Sequence, residues 1–118
     1  MDMMVDGRKA TAKETFDVLN PATLEIVDTA PRSGPEDLER AVAAAKAAQA
    51  AWCREDIATR RRAIEKAATL VRENLPEIAR LLTLEQGKPL GEAMVEVGIA
   101  AAFFESFASS LSFETSCG

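Results

Sequence analysis

The stretch TLEQGKPLGEA, Thr83 to Ala93, comes nearer than any other part of this sequence to a catalytic or phosphate-binding motif. Gly87 followed by Lys88 is typical of a loop that binds phosphate. Glu85, two residues before the glycine, could serve as a general base. These residue types therefore raise two hypotheses, phosphate binding and proton abstraction.

The surrounding residues argue against a nucleotide-binding loop. A Walker loop requires G-x-x-x-x-G-K-[ST], but Leu82 replaces the first glycine and Pro89 replaces the hydroxyl residue that would bind magnesium. The dinucleotide fingerprint G-x-G-x-x-G is absent from the sequence, and Gly87 and Gly91 are too far apart to belong to one. The phosphate hypothesis fails on both patterns.

Glu85 is a weak candidate for a base. It falls near the predicted C-terminus of a helix, where the helix dipole disfavours a negative charge. The structural alternative is that Glu85 bonds backbone amides or Lys88 where two helices meet, and we favour that role.

Composition excludes several other classes of function. The chain has 118 residues, 47% of them hydrophobic, which is enough for one domain. Its 14 basic and 19 acidic residues give a net charge of -5, so we expect no affinity for nucleic acid or for an anionic membrane. We find neither an apolar run of about 20 residues nor a secretory signal, and predict a cytoplasmic protein.

The absence of histidine and tyrosine excludes catalytic triads and histidine-based zinc sites within this chain. Cys53 and Cys117 show neither metal-ligand spacing nor a disulfide framework. We expect both to be free thiols without a catalytic role.

The first part of the chain predicts strands. Residues 1–14 are polar and without periodicity, and we interpret them as a flexible arm or an imperfect strand. Two β-branched runs, Thr15 to Leu19 and Leu24 to Thr29, flank Asn20-Pro21-Ala22-Thr23, which is a hairpin signature.

Four helices are predicted after the hairpin. Ser33 with Glu36 resembles a capping box for an alanine-rich helix that ends at Trp52, with one face against another helix or a sheet. Asp56 caps a second helix, whose Arg60, Arg61 and Arg62 we place on a solvated face.

Asn74 ends the second helix in a left-handed conformation, and Gly87 ends the third. The fourth helix begins near Leu90 and buries a long apolar stripe. The stripe consists of Leu90, Ala93, Met94, Val97, Ala101, Phe104 and Ala108.

These elements predict a mostly helical chain with an N-terminal β-hairpin. A hairpin of two strands is marginal in water, and nothing after Pro31 looks like a strand. The hairpin must therefore pair with another chain or with sequence that is missing here.

Four segments in series resemble the beginning of the NAD(P)-dependent aldehyde dehydrogenase superfamily: FDVLNPATLEIVDTAP, the alanine-rich helix ending AAW, REDIATRRRAIEKAATLVREN and TLEQGKPLGEAMVEVGIAAAFFESFA. TLEQGKPLGEA is most similar to the succinate-semialdehyde dehydrogenase branch. The resemblance implies a fragment of the α/β, Rossmann-like nucleotide-binding domain over residues 15–108. Residues 109–118 form an atypical tail, which suggests a frameshift, a premature stop or an artificial boundary.

The resemblance also implies what the chain does. Members of the family oxidise aldehydes to carboxylic acids through a cysteine thiolate, NAD or NADP and a catalytic glutamate. None of those positions matches Cys53, Cys117 or Glu85, so no catalytic or cofactor-binding residue is expected here. The fragment should be inactive alone and should associate with the remainder of the polypeptide or with itself.

One family site does reach this region. Several members bind a structural sodium or potassium ion, and by position its ligands here would be the carbonyls of Val18 and Leu19 and the carboxylate of Glu85. Leu24 stands where the family commonly has glycine, which implies a reshaped hairpin.

An alternative of a different class remains open. The chain could be a stand-alone helical interaction module without catalysis, in which the first and fourth helices bind a partner. A severed fragment should instead expose the hairpin edge and Phe103, Phe104 and Phe107.

Overall fold

The computed structural model describes residues 2–110, which divide between Cys53 and Arg54 into two compact units. The first unit contains four strands and one helix, and the second contains three helices. In chain order the elements are β1 (Met3–Val5), β2 (Arg8–Ala10), β3 (Glu14–Leu19), β4 (Ile26–Arg32), α1 (Pro35–Trp52), α2 (Ile57–Glu73), α3 (Leu75–Gln86) and α4 (Leu90–Ser110). The predicted class, mostly helical with an N-terminal hairpin, is confirmed.

The segment expected to be an arm contains a hairpin of its own. β1 and β2 pair antiparallel, with Val5 opposite Arg8, so that Asp6 and Gly7 form a two-residue turn. Both turn residues have positive φ, 54° and 68°, which is the backbone of a type I′ turn. The sequence Asp-Gly between short runs is a hairpin signal. Two short strands therefore occupy the segment that we interpreted as a flexible arm or an imperfect strand.

The hairpin that the sequence predicts is present as β3 and β4, and its strands are longer than expected. β3 and β4 pair antiparallel, and a bulge lies where Val18 faces Asp28 but Leu19 faces Ile26. Val27 is therefore an extra residue on β4, which increases the local twist.

The loop that joins β3 to β4 is closed by Asn20. Its Oδ1 accepts the N–H of Ala22 at 2.9 Å, its carbonyl accepts the N–H of Leu24 at 2.8 Å and its N–H donates to the carbonyl of Glu25 at 2.9 Å. This local bonding explains the preference for asparagine at the start of the turn. Leu24 has a φ of 61°, a left-handed conformation that a glycine would adopt without strain.

α1 begins one residue later than the predicted capping box. Gly34 is the N-cap, and its N–H donates to the Asp37 carboxylate at 2.9 Å, so Gly34 and Asp37 replace Ser33 and Glu36. Pro35 occupies the first turn, where its missing N–H costs little. No residue of α1 is buried, and the expectation that its apolar face lies against another element is wrong for the described residues.

Helices α2 and α3 meet at Asn74. Asp56 caps α2 by accepting the N–H of Thr59 at 2.7 Å, which confirms the predicted start. Asn74 has a φ of -100° and is not left-handed, contrary to the prediction. Its side-chain amide instead donates to the Leu70 carbonyl at 2.8 Å, which satisfies one of the last carbonyls of α2.

The core of the second unit lies where α2 and α3 pack on α4. Among the described residues, those that are fully buried are all alanine or valine: Ala68, Ala79, Ala93, Val97, Ala101 and Ala108. Small side chains let helix backbones approach closely. Half-buried side chains surround the contact: Val71, Leu75, Ile78 and Leu82.

A two-pronged ion pair joins α2 to α4 at the edge of this core. The Nε and Nη2 atoms of Arg72 donate to the two carboxylate oxygens of Glu105 at 2.6 and 2.7 Å. These hydrogen bonds lower the pKa of Glu105 and raise that of Arg72. The pair fixes the register of the two helices, although both side chains are about half exposed.

By length and composition, α4 is apolar enough to cross a membrane. Glu92, Glu96 and Glu105 interrupt its apolar sequence, so α4 contains no unbroken apolar run of about 20 residues. The core helix of a globular protein can have the same length and composition, and four residues of α4 are buried in the second unit.

The alanine contact predicts that a larger side chain at Ala101 destabilises the second unit. Ala101 has 0% exposure, so Ala101→Leu must force α2 or α3 away from α4. We expect the free energy of unfolding to fall by about 1–3 kcal/mol in urea titrations followed by circular dichroism. Ala102→Leu, on the exposed side of α4, is the matched control and should change it by less than about 0.5 kcal/mol. Equal effects of the two variants would contradict this account.

The left-handed backbone at Leu24 predicts a stabilising substitution. Leu24 is 72% exposed, so removing its side chain forfeits little burial. Leu24→Gly should relieve about 1–2 kcal/mol of backbone strain and lose part of this to chain entropy, a net gain of about 0.5–1 kcal/mol. Leu24→Ala keeps Cβ and should show no comparable gain in the same urea titration. A gain from alanine equal to that from glycine would mean that strain is not the cause.

Candidate functional site

The corner that contains Gly87 and Lys88 joins two helices. Gly87 ends α3 with a φ of 72°, and its N–H donates to the Thr83 carbonyl at 2.9 Å. α4 begins three residues later, at Leu90. Phosphate loops of the Walker type connect a strand to a helix, so the fold agrees with the failure of that hypothesis.

Lys88 pairs with a different glutamate from the one expected. Its ammonium group contacts the Glu96 carboxylate, two turns into α4. The predicted alternative, in which Glu85 bonds Lys88, is therefore corrected. The Lys88–Glu96 pair joins the corner to the second turn of α4.

Glu85 lies in the last turn of α3 and is half-buried. Neither a hydrogen bond nor an ion pair joins its carboxylate to another residue within the described range 2–110. Its oxygens are consequently available to a ligand from outside the range. Nothing here positions it against a group whose proton it could remove.

The other predicted ion ligands lie in the first unit. Val18 and Leu19 are the last two residues of β3, beside the bulge and immediately before the Asn20 turn. Carbonyl and carboxylate oxygens are donors that suit a hard cation, so the donor types fit a sodium or potassium ion. Because the ligand set is divided between the two units, the ion site stays a prediction. Within residues 2–110 no cluster of three acidic or cysteine side chains could hold a metal.

The arginine run at the start of α2 is not a uniform solvated face. Arg60 and Arg61 are half-buried on the same stripe as Ile57 and Ile64, and only Arg62 is exposed. The prediction is therefore wrong for the first two arginines. The Nε atom of Arg60 is buried without a hydrogen-bond partner among the described residues. Helical periodicity places these two arginines on the inward face, and the prediction was wrong because it relied on their charge.

The first unit has an open cleft of about 800 Å³ between its strands and the N-terminus of α1. Its charges are paired: Lys13 with Glu36, Arg32 with Glu14 and Arg40 with Asp37. The Gly34 N–H and, secondarily, Arg40 lower the pKa of Asp37. Because the charges balance, the cleft has no net preference for an anion or a cation.

The state of Cys53 differs from the expectation. Cys53 is disulfide-bonded, so the prediction of a free thiol there is wrong. Cys117 lies outside the described residues. With its sulfur in a disulfide, Cys53 has no thiolate with which to attack a substrate.

The chain matches one protein family over most of its length. The model described as "Aldehyde dehydrogenase family" matches residues 8–115, which includes part of the 109–118 segment. A methylmalonate-semialdehyde/malonate-semialdehyde dehydrogenase of Rattus norvegicus is 42% identical over 97 residues, which cover 80% of this chain and 18% of that protein. A glutarate-semialdehyde dehydrogenase of Pseudomonas putida is 42% identical over 95 residues, covering 80% of this chain and 20% of that protein.

Solved structures show the same arrangement of elements. A succinate-semialdehyde dehydrogenase from Burkholderia pseudomallei superposes with a TM-score of 0.88 and 38% identity, over 92% of this chain and 23% of that one. A betaine aldehyde dehydrogenase from Staphylococcus aureus in complex with NAD+ superposes with a TM-score of 0.87 and 32% identity. The match covers 91% of this chain and 23% of that one. The chain thus spans about a fifth of the curated relatives it matches. These matches confirm the resemblance that the four sequence segments indicate.

An ion bound at Val18, Leu19 and Glu85 predicts unfolding that depends on the monovalent cation present. Sodium or potassium should raise the thermal unfolding midpoint relative to choline at equal ionic strength. The free energy of unfolding should rise by about 1.4 kcal/mol at an ion concentration ten times the dissociation constant. Glu85→Gln should abolish this difference in thermal scans. Glu92→Gln, at an exposed glutamate in the first turn of α4, should retain it. Identical midpoints of the unmodified chain in all three salts would contradict the ion site.

Proposed function

Because the chain belongs to the aldehyde dehydrogenase family, we propose that it is the N-terminal portion of a longer NAD(P)-dependent aldehyde dehydrogenase and is inactive by itself. The proposal rests on how much of each sequence the matches cover. The matches extend over 80% or more of this chain but over only about a fifth of each relative. The residues that perform the reaction would then belong to the other four fifths.

The exposure of apolar side chains supports the same proposal. Phe103, Phe104 and Phe107 are exposed, as the fragment hypothesis requires. β3 pairs only with β4 among the described residues, which leaves each strand with one edge unpaired. Since a two-stranded hairpin is marginal in water, the hairpin needs a further strand from a longer polypeptide.

The substrates of the relatives support a proposal for the substrate class. The rat and Pseudomonas proteins act on methylmalonate, malonate or glutarate semialdehyde, and the Burkholderia structure is a succinate-semialdehyde dehydrogenase. Each of these aldehydes carries a carboxylate. We therefore propose a short aldehyde with an anionic group as the substrate of the complete enzyme.

The complete enzyme would use NAD or NADP as the hydride acceptor, with the cysteine thiolate and the catalytic glutamate that the family supplies. The Staphylococcus relative binds NAD+ in its crystal structure, which supports this cofactor class. No residue of this chain is assigned to the nicotinamide cofactor. We place the complete enzyme in the cytoplasm, although the rat relative is mitochondrial.

A second candidate is a helical interaction module without catalysis. The exposed apolar faces of α1 and α4 favour it, since such faces commonly mark protein contacts. Under this alternative the chain should fold cooperatively as a monomer or a defined dimer. Under the main proposal it should self-associate without a fixed stoichiometry or be poorly soluble.

The proposal is tested by a chimera in which residues 1–110 replace the matched N-terminal part of the Burkholderia succinate-semialdehyde dehydrogenase. We expect the chimera to reduce NAD or NADP with succinate semialdehyde, measured by absorbance at the wavelength of the reduced cofactor. The isolated chain should show only the uncatalysed rate, because it lacks the reacting groups.

Two results would contradict the proposal. Turnover by the purified isolated chain would show that it is a complete enzyme. A chimera that folds and binds cofactor but has no turnover, while the unmodified Burkholderia enzyme is active, would show that this chain does not serve as the N-terminal part of such an enzyme.

A further inference from the structure

Helix α4 carries two apolar ridges on opposite sides. The first consists of Ala93, Val97, Ala101 and Ala108, which are buried in the second unit. The second, which we call the outer ridge, consists of Val95, Ile99, Phe103 and Phe107, spaced by four residues. Positions two apart on a helix differ by about 200°, so the two ridges face in opposite directions.

The outer ridge is open along its whole length. The exposed fraction is 62% for Val95, 51% for Ile99, 59% for Phe103 and 66% for Phe107. The rings of Phe103 and Phe107 stack with centroids 6.4 Å apart, which makes one continuous aromatic surface at its C-terminal end. The exposed face is therefore an ordered strip of large side chains.

A helix that is apolar on both sides belongs in the interior of a larger protein. The first ridge is made of small residues and is already covered by α2 and α3. The outer ridge instead carries four large side chains, which gain most from burial and lie on the uncovered side. The sequence of α4 is therefore fitted to a second layer that residues 2–110 do not supply.

We propose that the outer ridge is the surface on which the remaining aldehyde dehydrogenase polypeptide docks against this chain. This inference rests on the proposed function. The occupant is chosen on length: the relatives extend about four fifths of their sequence beyond the region that this chain matches. A covalently continuous polypeptide also reaches the ridge without the entropic cost of bringing two molecules together.

Charged residues mark one end of the docking surface. Lys88 and Glu96 pair beside the first turns of α4, and Glu92 lies in the first turn. From Val97 to Phe104 the helix has no charged side chain. The docked layer should therefore contact α4 mainly at the three ridge residues that follow this end, Ile99, Phe103 and Phe107.

The test compares the same substitutions in two contexts, the isolated chain and the Burkholderia chimera. Ile99→Asp and Phe103→Asp should leave the thermal midpoint of the isolated chain within about 1 °C, since both positions are exposed there. In the chimera each should lower the midpoint by about 5 °C or more, because a charge is buried against the docked layer.

Controls keep the comparison interpretable. Ala63→Asp introduces the same side chain on the exposed face of α2, between Arg62 and Lys66, and should change neither midpoint appreciably. Phe103→Ala is a milder variant in case the aspartate chimeras fail to fold. It should lower the midpoint of the chimera by several degrees and leave the isolated chain unchanged.

Three outcomes would overturn the docking proposal. If the unmodified chimera turns over and Ile99→Asp, Phe103→Asp and Phe103→Ala all keep its midpoint, the ridge faces solvent in the enzyme, while the proposed function stands. If the isolated chain forms a defined dimer in sedimentation that these variants abolish, with no effect in the chimera, the occupant is a second copy. If the variants abolish only binding of the isolated chain to phosphatidylcholine vesicles, the occupant is a lipid surface.

Discussion

The contact of small side chains between α4 and its two neighbours constrains the rest of the second unit. Ala93 and Val97 of α4 pack with Ala79 of α3, and Ala68 of α2 and Ala101 of α4 are also buried. Such a contact brings backbones close but buries few methylene groups, each contributing about 0.8 kcal/mol. The large side chains of the outer ridge lie outside this contact. Under the docking proposal, covering them would add apolar burial that the alanine contact does not provide.

The Arg72–Glu105 pair aligns α2 with α4 along their length more than it stabilises their contact. Both partners are about half exposed, where an ion pair is screened and contributes little. Its two parallel hydrogen bonds nevertheless permit only a narrow range of positions for α2 along α4. Alanine surfaces are smooth and tolerate sliding, so a directional pair at their edge is what selects one alignment. Glu105 keeps this role while it is ionised, which the lowered pKa extends to more acidic solutions.

The sequence predicts those elements whose signals are local. The Asp56 cap, the Gly87 stop and the Asn20 turn each satisfy backbone groups within a few residues, and each is confirmed. The Asp6-Gly7 hairpin carries an equally local signal, but its strands are only three residues long, too short to show a period. The first helix cap differs by one residue because Asp37 can reach back to Gly34 just as Glu36 could to Ser33.

What could not be predicted depends on tertiary contacts. Charge suggested that Arg60 and Arg61 face solvent, but their position on the helix places them inward, where long aliphatic stems can pack. The pairing of Lys88 with Glu96 instead of Glu85 depends on the direction of α4, which no local pattern specifies. The predicted ion ligands, Val18, Leu19 and Glu85, belong to separate units, so the ion site stays a prediction.

The Gly87 corner links these observations. A left-handed residue ends α3, and Lys88 then pairs with Glu96 in the second turn of α4. The buried ridge of α4 packs on α2 and α3, and the outer ridge lies on the opposite side. The residues that first suggested phosphate chemistry, Gly87 and Lys88, thus form the corner between two packed helices. They lead into the helix whose outer ridge, under the proposed function, faces the polypeptide that contains the reacting groups.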